Sequence, residues 1–322
     1  MTDTPQMTPD KSDLEILQSH HCPLAEIAPF ILRPASKSGA LIISAPHGGT
    51  YYPTDFPSDL PRGLPRDLEG NPYHLDEERL RRLRSLEDIG TALIADALYS
   101  PTRPVLSAQL ARGIIDLNRP AEALDPLLYD TPFNNLPASD HYAPYIAAGY
   151  GVMPRLSALR EPLYAPQYLP LSLSQSLVLI DHYHRPYHEA ISSLLAQCPG
   201  QGMLIDIHSM PDRPQGKALP DFIFGDDFGT TLPHHIRPLI DSFMQTTGHS
   251  FGWNHPYAGG YITRHYGNAK STDSTLQIEV NRRLYTGANM RISRKAIAAI
   301  ATTLQSLISQ IETAQTAPLA AQ

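Results

Sequence analysis

The chain has 322 residues, of which 42% are hydrophobic and 18% are charged, a composition typical of a globular protein and not of a disordered one. Its 25 Lys and Arg residues against 32 Asp and Glu residues give a net charge of −7, which argues against a general nucleic-acid binder. The two cysteines, Cys22 and Cys198, are too few for a disulfide framework or a thiolate zinc site, and they suit a reducing compartment.

The N-terminal segment has acidic residues and prolines where a secretory signal needs an unbroken apolar stretch. No run of about 18 consecutive apolar residues occurs along the chain, so we expect no membrane span and a cytoplasmic location. Residues 1–12 and 314–322 are predicted to be flexible tails. No internal repeat or linker divides the sequence, and residues 1–322 are therefore predicted to form a single domain.

Short apolar runs alternate with helical patterns along the chain, which predicts a layered α/β architecture. Four runs are predicted to be buried strands: residues 40–46 (ALIISAP), 113–119 (GIIDLNR), 203–209 (MLIDIHS) and 276–282 (LQIEVNR). Helices are predicted after a cap at Asp181, over residues 236–244 with a stop at Gly248, and over residues 297–311. Residues 51–71 and 119–171 read as long loops that cover a site.

Two histidines lie where predicted strands end. His47 follows the first strand and precedes two glycines, and His208 ends the strand that begins at residue 203. Ligands bind in the crevice at the carboxyl ends of strands in α/β sheets, so the two imidazoles are predicted to meet at one metal ion. A single histidine in such a place is more often a hydrogen-bonded turn residue, and only the pair makes the metal site the better interpretation.

A catalytic zinc site commonly has three protein ligands, so a third ligand is needed. The short HxxE spacing of carboxypeptidases is absent, because Thr50 stands three residues after His47. Asp76, which opens a helical pattern, is the preferred third ligand, with His74 and Glu69 as alternatives. The competing interpretation is that Asp76 only caps the helix.

Glu279 lies in the predicted strand that begins at residue 276, between two apolar residues. Charged residues in buried strands are usually paired or functional, and strand alternation puts Gln277, Glu279 and Asn281 on one face. If that face meets the metal, Glu279 is a general base for a water molecule. An edge strand with its polar side in water is the alternative.

Arginines lie close to these residues in the sequence: Arg112 and Arg119 flank residues 113–118, and Arg282 follows Glu279. A guanidinium group binds a carboxylate through two hydrogen bonds and keeps its charge at every relevant pH. A metal crevice with arginines at its edge suits a small substrate that carries carboxylates. Ordinary surface ion pairs are the competing interpretation for any one of them.

Eight motifs between residues 40 and 285 occur in the order typical of one family: SAPHGG, YHLD, ARGIIDLNRP, HYHRPYH, LIDIHSMP, FIFGDDFG, PYAGGYIT and LQIEVNRRLY. On these motifs the sequence resembles the N-formylglutamate amidohydrolases. The resemblance implies a three-layer αβα sandwich with a mixed central β-sheet, as in zinc carboxypeptidases and aspartoacylase. It also implies one Zn²⁺ per chain and hydrolysis of N-formyl-L-glutamate to formate and L-glutamate, the last step of one histidine-degradation route.

The same resemblance assigns roles to residues of this chain. The zinc ligands correspond to His47, Asp76 and His208, and the general base corresponds to Glu279. Arg112 corresponds to the arginine that polarises the scissile carbonyl. The Asn118–Arg119 pair corresponds to the carboxylate clamp. Beyond the resemblance, Arg282 or Arg264 is predicted to bind the side-chain carboxylate of the substrate, and Gly260 and Tyr261 are predicted to form part of a wall over it, because paired glycines permit close backbone approach.

Alternatives remain open at this point. One is a carboxypeptidase or another N-acyl amino acid deacylase with the same metal site, and the other is a non-catalytic protein that binds acidic ligands. In HYHRPYH, His184 and His188 are four residues apart and can share a helix face, which permits a second metal but favours structural roles. The oligomeric state is not indicated by the sequence.

Overall fold

The protein is described here by a computed structural model that covers residues 28–52, 77–129, 141–164, 169, 171, 173–268, 273–287 and 290–316. A seven-stranded sheet with the strand order β1-β3-β2-β4-β7-β5-β6 forms its centre. The strands are β1 (Phe30–Arg33), β2 (Leu41–Ala45), β3 (Val105–Ala108), β4 (Met203–Met210), β5 (Phe222–Gly225), β6 (Phe251–Trp253) and β7 (Ser274–Asn281).

The sheet is mixed, and its central strands run in one direction. Strands β3, β2, β4 and β7 are parallel neighbours, whereas β1 runs antiparallel to β3, and β5 runs antiparallel to β7. Strand β6 pairs with β5 in parallel. The carboxyl ends of the four central strands therefore lie at the same edge of the sheet, where an α/β protein binds its ligands.

Helices cover both faces of the sheet. They are α1 (Glu77–Arg84), α2 (Thr91–Ala97), α3 (Ala143–Ala147), α4 (Leu173–Leu179), α5 (Arg185–Ala196), α6 (Ile236–Thr247), α7 (Tyr261–Tyr266) and α8 (Arg294–Thr316). A π-helical turn, Ile180–His184, joins α4 to α5. Short 3₁₀ turns cover Pro126–Leu128, Pro214–Gly216 and Arg282–Leu284.

Strand alternation explains the two hydrophobic cores. Leu41 and Ile43 of β2 face one way and pack in a core with apolar residues of α2, α6 and α8. Ile42 faces the other way and packs in a core with α4, the π-helical turn and α5. Because successive side chains of a strand point to opposite faces, one apolar run supplies both cores. The predicted α/β fold, a mixed sheet between two helical layers, is confirmed.

Most predicted elements are found with small shifts of their ends. The predicted strands at residues 40–46, 203–209 and 276–282 are β2, β4 and β7. The predicted helices at 236–244 and 297–311 are α6 and α8, and Gly248 ends α6 in a left-handed conformation, as expected.

The prediction of a strand at residues 113–119 is wrong. Beyond β3 the chain makes successive turns, in which Ile114 N donates to Ala111 O and Arg119 N donates to Asp116 O. The Asp116 carboxylate accepts a hydrogen bond from Asn118 N at 2.9 Å, a local bond that competes with sheet pairing. A short apolar run does not distinguish a buried turn from a buried strand.

Two predicted helix ends also need correction. Asp181 does not cap a helix, because the helical conformation already begins at Leu173 and Asp181 lies within the π-helical turn, where it pairs with Arg185 at 2.8 Å. Residues 314–316, predicted to belong to a tail, extend α8. The predicted loops at 51–71 and 119–171 fall partly outside the described residues, and the described part of the second contains α3.

No helix within the described residues is both long and apolar enough to span a bilayer. The single-domain organisation and the cytoplasmic location stay predictions.

Candidate metal centre

Two buried histidines meet at the carboxyl edge of the sheet. His47 lies two residues beyond the end of β2, and His208 lies in β4, the neighbouring parallel strand. Their Nδ1 atoms are 3.1 Å apart. The chain turns tightly after His47, where a Cβ atom at Gly49 would lie only 2.1 Å from the carbonyl oxygen of Leu110. Glycine at this position therefore allows the turn to approach the segment after β3.

Asp88 completes a group of three ligand atoms. Its Oδ2 lies 2.9 Å from Nδ1 of His208 and 3.4 Å from Nδ1 of His47. Tetrahedral zinc with ligands at about 2.0–2.1 Å places ligand atoms about 3.3 Å apart, which these separations match. Two imidazoles and one carboxylate are also a donor set that zinc accepts. The three side chains thus fit a divalent metal ion.

The predicted third ligand, Asp76, and its alternatives His74 and Glu69 lie outside the described residues. The sequence reasoning missed Asp88, which lies in the turn between α1 and α2. Its sequence signal is weak: two adjacent acidic residues stand in an otherwise apolar stretch, SLEDIGTALI, just before a helix.

The outer nitrogens of both histidines are bound to carboxylates. Nε2 of His47 donates to Oδ1 of Asp116 at 2.7 Å, and Nε2 of His208 donates to Oδ2 of Asp206 at 2.8 Å. With a proton on each Nε2, the Nδ1 atoms are free to bind a cation or, where no cation is bound, to carry a proton that is donated to Asp88. Histidines that bind metals are commonly held in this way by an outer carboxylate.

Charge is concentrated around this centre. Burial disfavours the ionised form of Asp88, but hydrogen bonds from His208 and His47 hold its pKa well below the ordinary value. Burial also disfavours ionised Asp116, but the charge of Arg112 and its contact with His47 lower its pKa well below the ordinary value. Both carboxylates are therefore anionic at neutral pH.

The side chain of His208 has the opposite shift. Burial disfavours its cationic form, but the charge and hydrogen bond of Asp206, and then the hydrogen bond to Asp88, raise its pKa well above the ordinary value. The carboxylates of Asp206 and Asp88 thus stabilise positive charge at the imidazole of His208.

Glu279 lies beside the histidines on the next strand. It is the register partner of His208 in the β4–β7 ladder, and Nε2 of Gln277 donates to its Oε1 at 3.0 Å. Gln277 and Glu279 share a face, as strand alternation predicts. Burial, with a smaller contribution from the charge of Asp88, raises the pKa of Glu279 to about 7, whereas His208 opposes the rise.

Arg112 lies at the rim of the centre. Its Nε donates to Oδ2 of Asp116 at 2.9 Å, so Asp116 links it to His47. Burial would lower its pKa, but Asp116, followed by Asp88 and Glu279, raises it. These charges place the guanidinium group near the ligand carboxylate and near Glu279, and its side chain keeps 20% of its surface exposed.

Asn118 and Arg119 follow Asp116 in the turns beyond β3. Oδ1 of Asn118 accepts a hydrogen bond from Ile262 N at 2.8 Å, and its Nδ2 lies 3.3 Å from Nε2 of His208. Arg119 is buried, and it donates from Nε to Tyr150 O at 2.9 Å and from Nη1 to Asn118 O at 2.8 Å. These two bonds fix the guanidinium group, whose Cζ lies 4.7 Å from the centroid of the Tyr145 ring.

Arg282 differs from its prediction as a group directed at the substrate side chain. Its Nε donates to Ser209 Oγ at 2.9 Å, and its Nη2 donates to Glu87 O at 2.7 Å and to Oδ1 of Asp88 at 3.2 Å. These bonds hold the carboxylate of Asp88 in the orientation that presents Oδ2 to the histidines. Arg264, the other arginine considered for this role, donates from Nε to Asp227 at 3.0 Å.

The sequence profile of the N-formylglutamate amidohydrolase family matches residues 39–286, which include all these described residues. The chain belongs to this family. It is accordingly an amidohydrolase, an enzyme that cleaves amide bonds.

Two curated relatives are N-formylglutamate deformylases. The protein of Pseudomonas aeruginosa (strain PAO1) is 26% identical over 248 residues, which is 74% of this chain and 79% of that protein. The protein of Pseudomonas putida is 30% identical over 189 residues, which is 56% of this chain and 63% of that protein.

Solved structures agree with this family assignment. The crystal structure of N-formylglutamate amidohydrolase from Ralstonia eutropha JMP134 superposes with a TM-score of 0.73 at 26% identity, over 89% of this chain and 98% of that one. A gene product of Agrobacterium tumefaciens, Atu2144, has the same fold, with a TM-score of 0.62 at 15% identity, over 91% of this chain and 98% of that one.

In this amidohydrolase, Gly260 and Tyr261 lie at the start of α7 and contact Asn118. Gly260 N donates to Oε1 of Gln277 at 3.0 Å, and a Cβ atom at Gly260 would lie 2.2 Å from Nδ2 of Asn118. Glycine is therefore needed for this contact. The ring of Tyr261 packs edge-on against Tyr142, with 6.0 Å between ring centroids. These contacts join the wall to the Asn118–Arg119 turn.

Proposed function

We propose that this chain hydrolyses the formyl amide bond of N-formyl-L-glutamate and releases formate and L-glutamate. The observation that carries the proposal is the convergence of His47, Asp88 and His208 within 4.8 Å, with Glu279 as the strand neighbour of His208. The family membership and the two deformylase relatives supply the substrate class. These products would place the reaction at the end of a histidine-degradation route.

We assign the metal ligands to His47, Asp88 and His208, with Asp116 and Asp206 as the carboxylates that orient the two imidazoles. The mixed nitrogen and oxygen donor set favours Zn²⁺ as the ion. A divalent ion bound there supplies Lewis acidity towards a water molecule and towards a carbonyl oxygen.

Glu279 is assigned as the general base. Its buried carboxylate takes a proton from the attacking water, whose oxygen forms a bond to the formyl carbon. When the carbon–nitrogen bond breaks, the same proton passes from Glu279 to the departing amine of glutamate. Arg112, close to Asp88 and Glu279 at the rim, stabilises the negative charge that develops on the formyl oxygen.

Substrate binding is assigned to the turn after β3 and to the wall at α7. Arg119, fixed by Tyr150 O and Asn118 O, holds the α-carboxylate of the substrate, and Asn118 supplies an amide beside it. Gly260 and Tyr261 cover the bound amino acid. Arg282 contributes by orienting Asp88, because its described hydrogen bonds lie in that direction.

The direct test is formate release from purified protein. We expect release from N-formyl-L-glutamate, loss of the activity on chelation, and recovery when Zn²⁺ is added back in stoichiometric amount. N-acetyl-L-glutamate and a peptidyl-glutamate are the comparison substrates. Faster turnover of either would replace the deformylase proposal by a general deacylase or a carboxypeptidase, and binding without turnover would indicate a non-catalytic protein.

The general base is tested by Glu279→Gln, which keeps the size and the contact with Gln277. We expect kcat to fall by about 10²–10⁴-fold while the metal content, measured by elemental analysis, stays near that of the unmodified protein. Asp96→Asn, a change at an exposed carboxylate that pairs with Arg33, is the control and should leave kcat unchanged. A Glu279→Gln protein with normal kcat would remove Glu279 from this role.

A further inference from the structure

The HYHRPYH motif forms a second histidine pair, buried His184 and half-buried His188, that the reaction does not use. His184 ends the π-helical turn, His188 lies in the first turns of α5, and the two rings lie against each other with 4.3 Å between centroids. Residues four apart share a helix face, so both rings are directed to the same neighbouring segment. A π-helical turn inside a helix often occurs at functional sites.

That neighbouring segment is the Leu117–Arg119 turn. Nε2 of His184 donates to Arg119 O at 2.7 Å, and Nε2 of His188 donates to Leu117 O at 2.9 Å. A carbonyl oxygen can only accept, so both Nε2 atoms carry a proton. Burial lowers the pKa of both histidines, which keeps them neutral. The Tyr266 hydroxyl lies 2.8 Å from Nδ1 of His188 and donates to His188 O at 3.0 Å.

Together these bonds satisfy three consecutive carbonyl oxygens. The central one, Asn118 O, accepts from Nη1 of Arg119 at 2.8 Å and from Tyr261 N at 3.4 Å. The segment has no strand partner, so its buried carbonyls depend on these donors. Loss of one donor leaves a buried acceptor unsatisfied, which is costly and allows the turn to rearrange.

The turn carries the side chains that face the reaction. The Asn118 amide lies beside His208 and the Arg119 guanidinium is the assigned carboxylate clamp, and both leave the backbone between the two carbonyls that the histidines hold. The direction of each side chain is fixed by the backbone that bears it. Histidines that do not touch the substrate thus set the position of the residues that do.

We propose that His184 and His188 are positioning residues for substrate binding, which act by hydrogen bonding to the backbone on either side of Asn118. This inference rests on the proposed function for its kinetic consequence. It also replaces a second metal site as the explanation of the motif, because both Nε2 atoms are hydrogen-bond donors to carbonyl oxygens.

The test compares variants that keep or lose the donor. His188→Leu and His184→Leu fill similar space without an N–H group, and His188→Gln and His184→Gln keep a donor at similar reach. We expect each Leu variant to raise KM for N-formyl-L-glutamate by about tenfold and to change kcat much less, since one unsatisfied buried acceptor costs about that factor. The Gln variants should restore most of the affinity.

His182→Leu is the matched control, because His182 lies in the same π-helical turn with its side chain exposed. It should leave KM and kcat unchanged. A second substrate distinguishes a specific effect on Arg119 from a general loss of substrate affinity. This substrate is the α-amide of N-formyl-glutamate, which lacks the carboxylate assigned to Arg119. In the unmodified protein we expect a lower KM for the α-carboxylate substrate than for the α-amide. The Leu variants should reduce the ratio of these two KM values by about tenfold. An equal KM increase for both substrates would contradict the proposal.

Amide hydrogen exchange provides a readout that does not require turnover. We expect faster exchange in the peptide that contains residues 116–119 in both Leu variants, and exchange as in the unmodified protein in the Gln variants. Unmodified protein that releases no formate would refute the proposed function, and the exchange result would then decide the positioning role by itself. Normal exchange and normal KM in His188→Leu, or a second bound Zn²⁺ lost in that variant, would overturn the inference.

Discussion

Two histidine pairs contact residues 116–119, and they differ in the groups to which their Nε2 atoms donate. In the first pair, His47 and His208 donate to the carboxylates of Asp116 and Asp206. In the second, His184 and His188 donate to backbone carbonyls of the turn. The pKa of His208 is raised, whereas burial lowers the pKa of both members of the second pair.

The acceptor decides the use of each imidazole. A carboxylate partner supplies negative charge, so the opposite nitrogen becomes a better ligand for a cation. A carbonyl partner supplies no net charge, so a buried imidazole stays neutral and serves as a rigid hydrogen-bond donor. The four residues are chemically identical, and only the groups around them separate the pair that we assign to metal binding from the pair that we assign to backbone support.

The largest difference between the two pairs is expected when His208 is replaced. We expect His208→Ala to lose stoichiometric metal and to lower formate release by at least about a thousandfold, because the ion supplies several kcal/mol of transition-state stabilisation. His188→Leu, the matched change in the other pair, should keep the metal. Elemental analysis beside the activity assay measures both, and an active, metal-containing His208→Ala protein would contradict the assigned ligand set.

The carboxylate partners can be tested without removing a ligand. Asp206→Asn keeps an acceptor for Nε2 of His208 but loses the charge, and we expect metal affinity to fall by about 10–100-fold. Competition with a chelator gives the affinity. Asp96→Asn, a change in an exposed ion pair with Arg33, is the control. Equal affinities in the two variants would show that the charge of Asp206 does not support the metal.

The elements that bear the first pair could be predicted from the sequence. Strands β2, β4 and β7 are mainly apolar runs bounded by turn residues, and ionisable residues at or near their carboxyl ends stand out against the apolar residues beside them. His47, His208 and Glu279 stand out in this way, and the structure brings all three to the same edge of the sheet.

Asp88 and the 113–119 turn could not be predicted in the same manner. Asp88 belongs to a turn, where an acidic residue is expected on other grounds, and only its three-dimensional contacts distinguish it from a cap. Residues 113–119 contain an apolar run like that of a strand, but the Asp116 side chain bonds to Asn118 N and stabilises a turn. Neither effect leaves a periodic pattern in the sequence.

The roles proposed for His184 and His188 could not be predicted from the sequence either. The spacing of His184 and His188 indicates a shared helix face, and it is compatible with a second metal or with structural contacts. The decisive fact is that both Nε2 atoms reach carbonyls some 65 or more residues away in sequence. Long-range backbone acceptors have no sequence signature, because every residue has a carbonyl group.

The smallest expected effect concerns the outer tyrosines of the two pairs. Tyr187 OH contacts Ser44 Oγ at 3.0 Å, and Ser44 in turn donates to Asp206; Tyr266 OH lies beside Nδ1 of His188. Tyr187→Phe and Tyr266→Phe should each lower the free energy of unfolding by about 1 kcal/mol, the usual net value of one buried hydrogen bond.

Their effects on binding should differ, and this difference makes the comparison sharper. Tyr266→Phe removes a hydroxyl that contacts both the ring and the backbone carbonyl of His188, so it should raise KM slightly and leave metal affinity unchanged. Tyr187→Phe acts on the hydrogen-bond chain that ends at His208, so it should weaken metal binding slightly and leave KM unchanged. Denaturant unfolding, chelator competition and steady-state kinetics on the same two proteins separate the cases. If both variants changed KM, or both changed metal affinity, the two histidine pairs would form one coupled network and would not act independently.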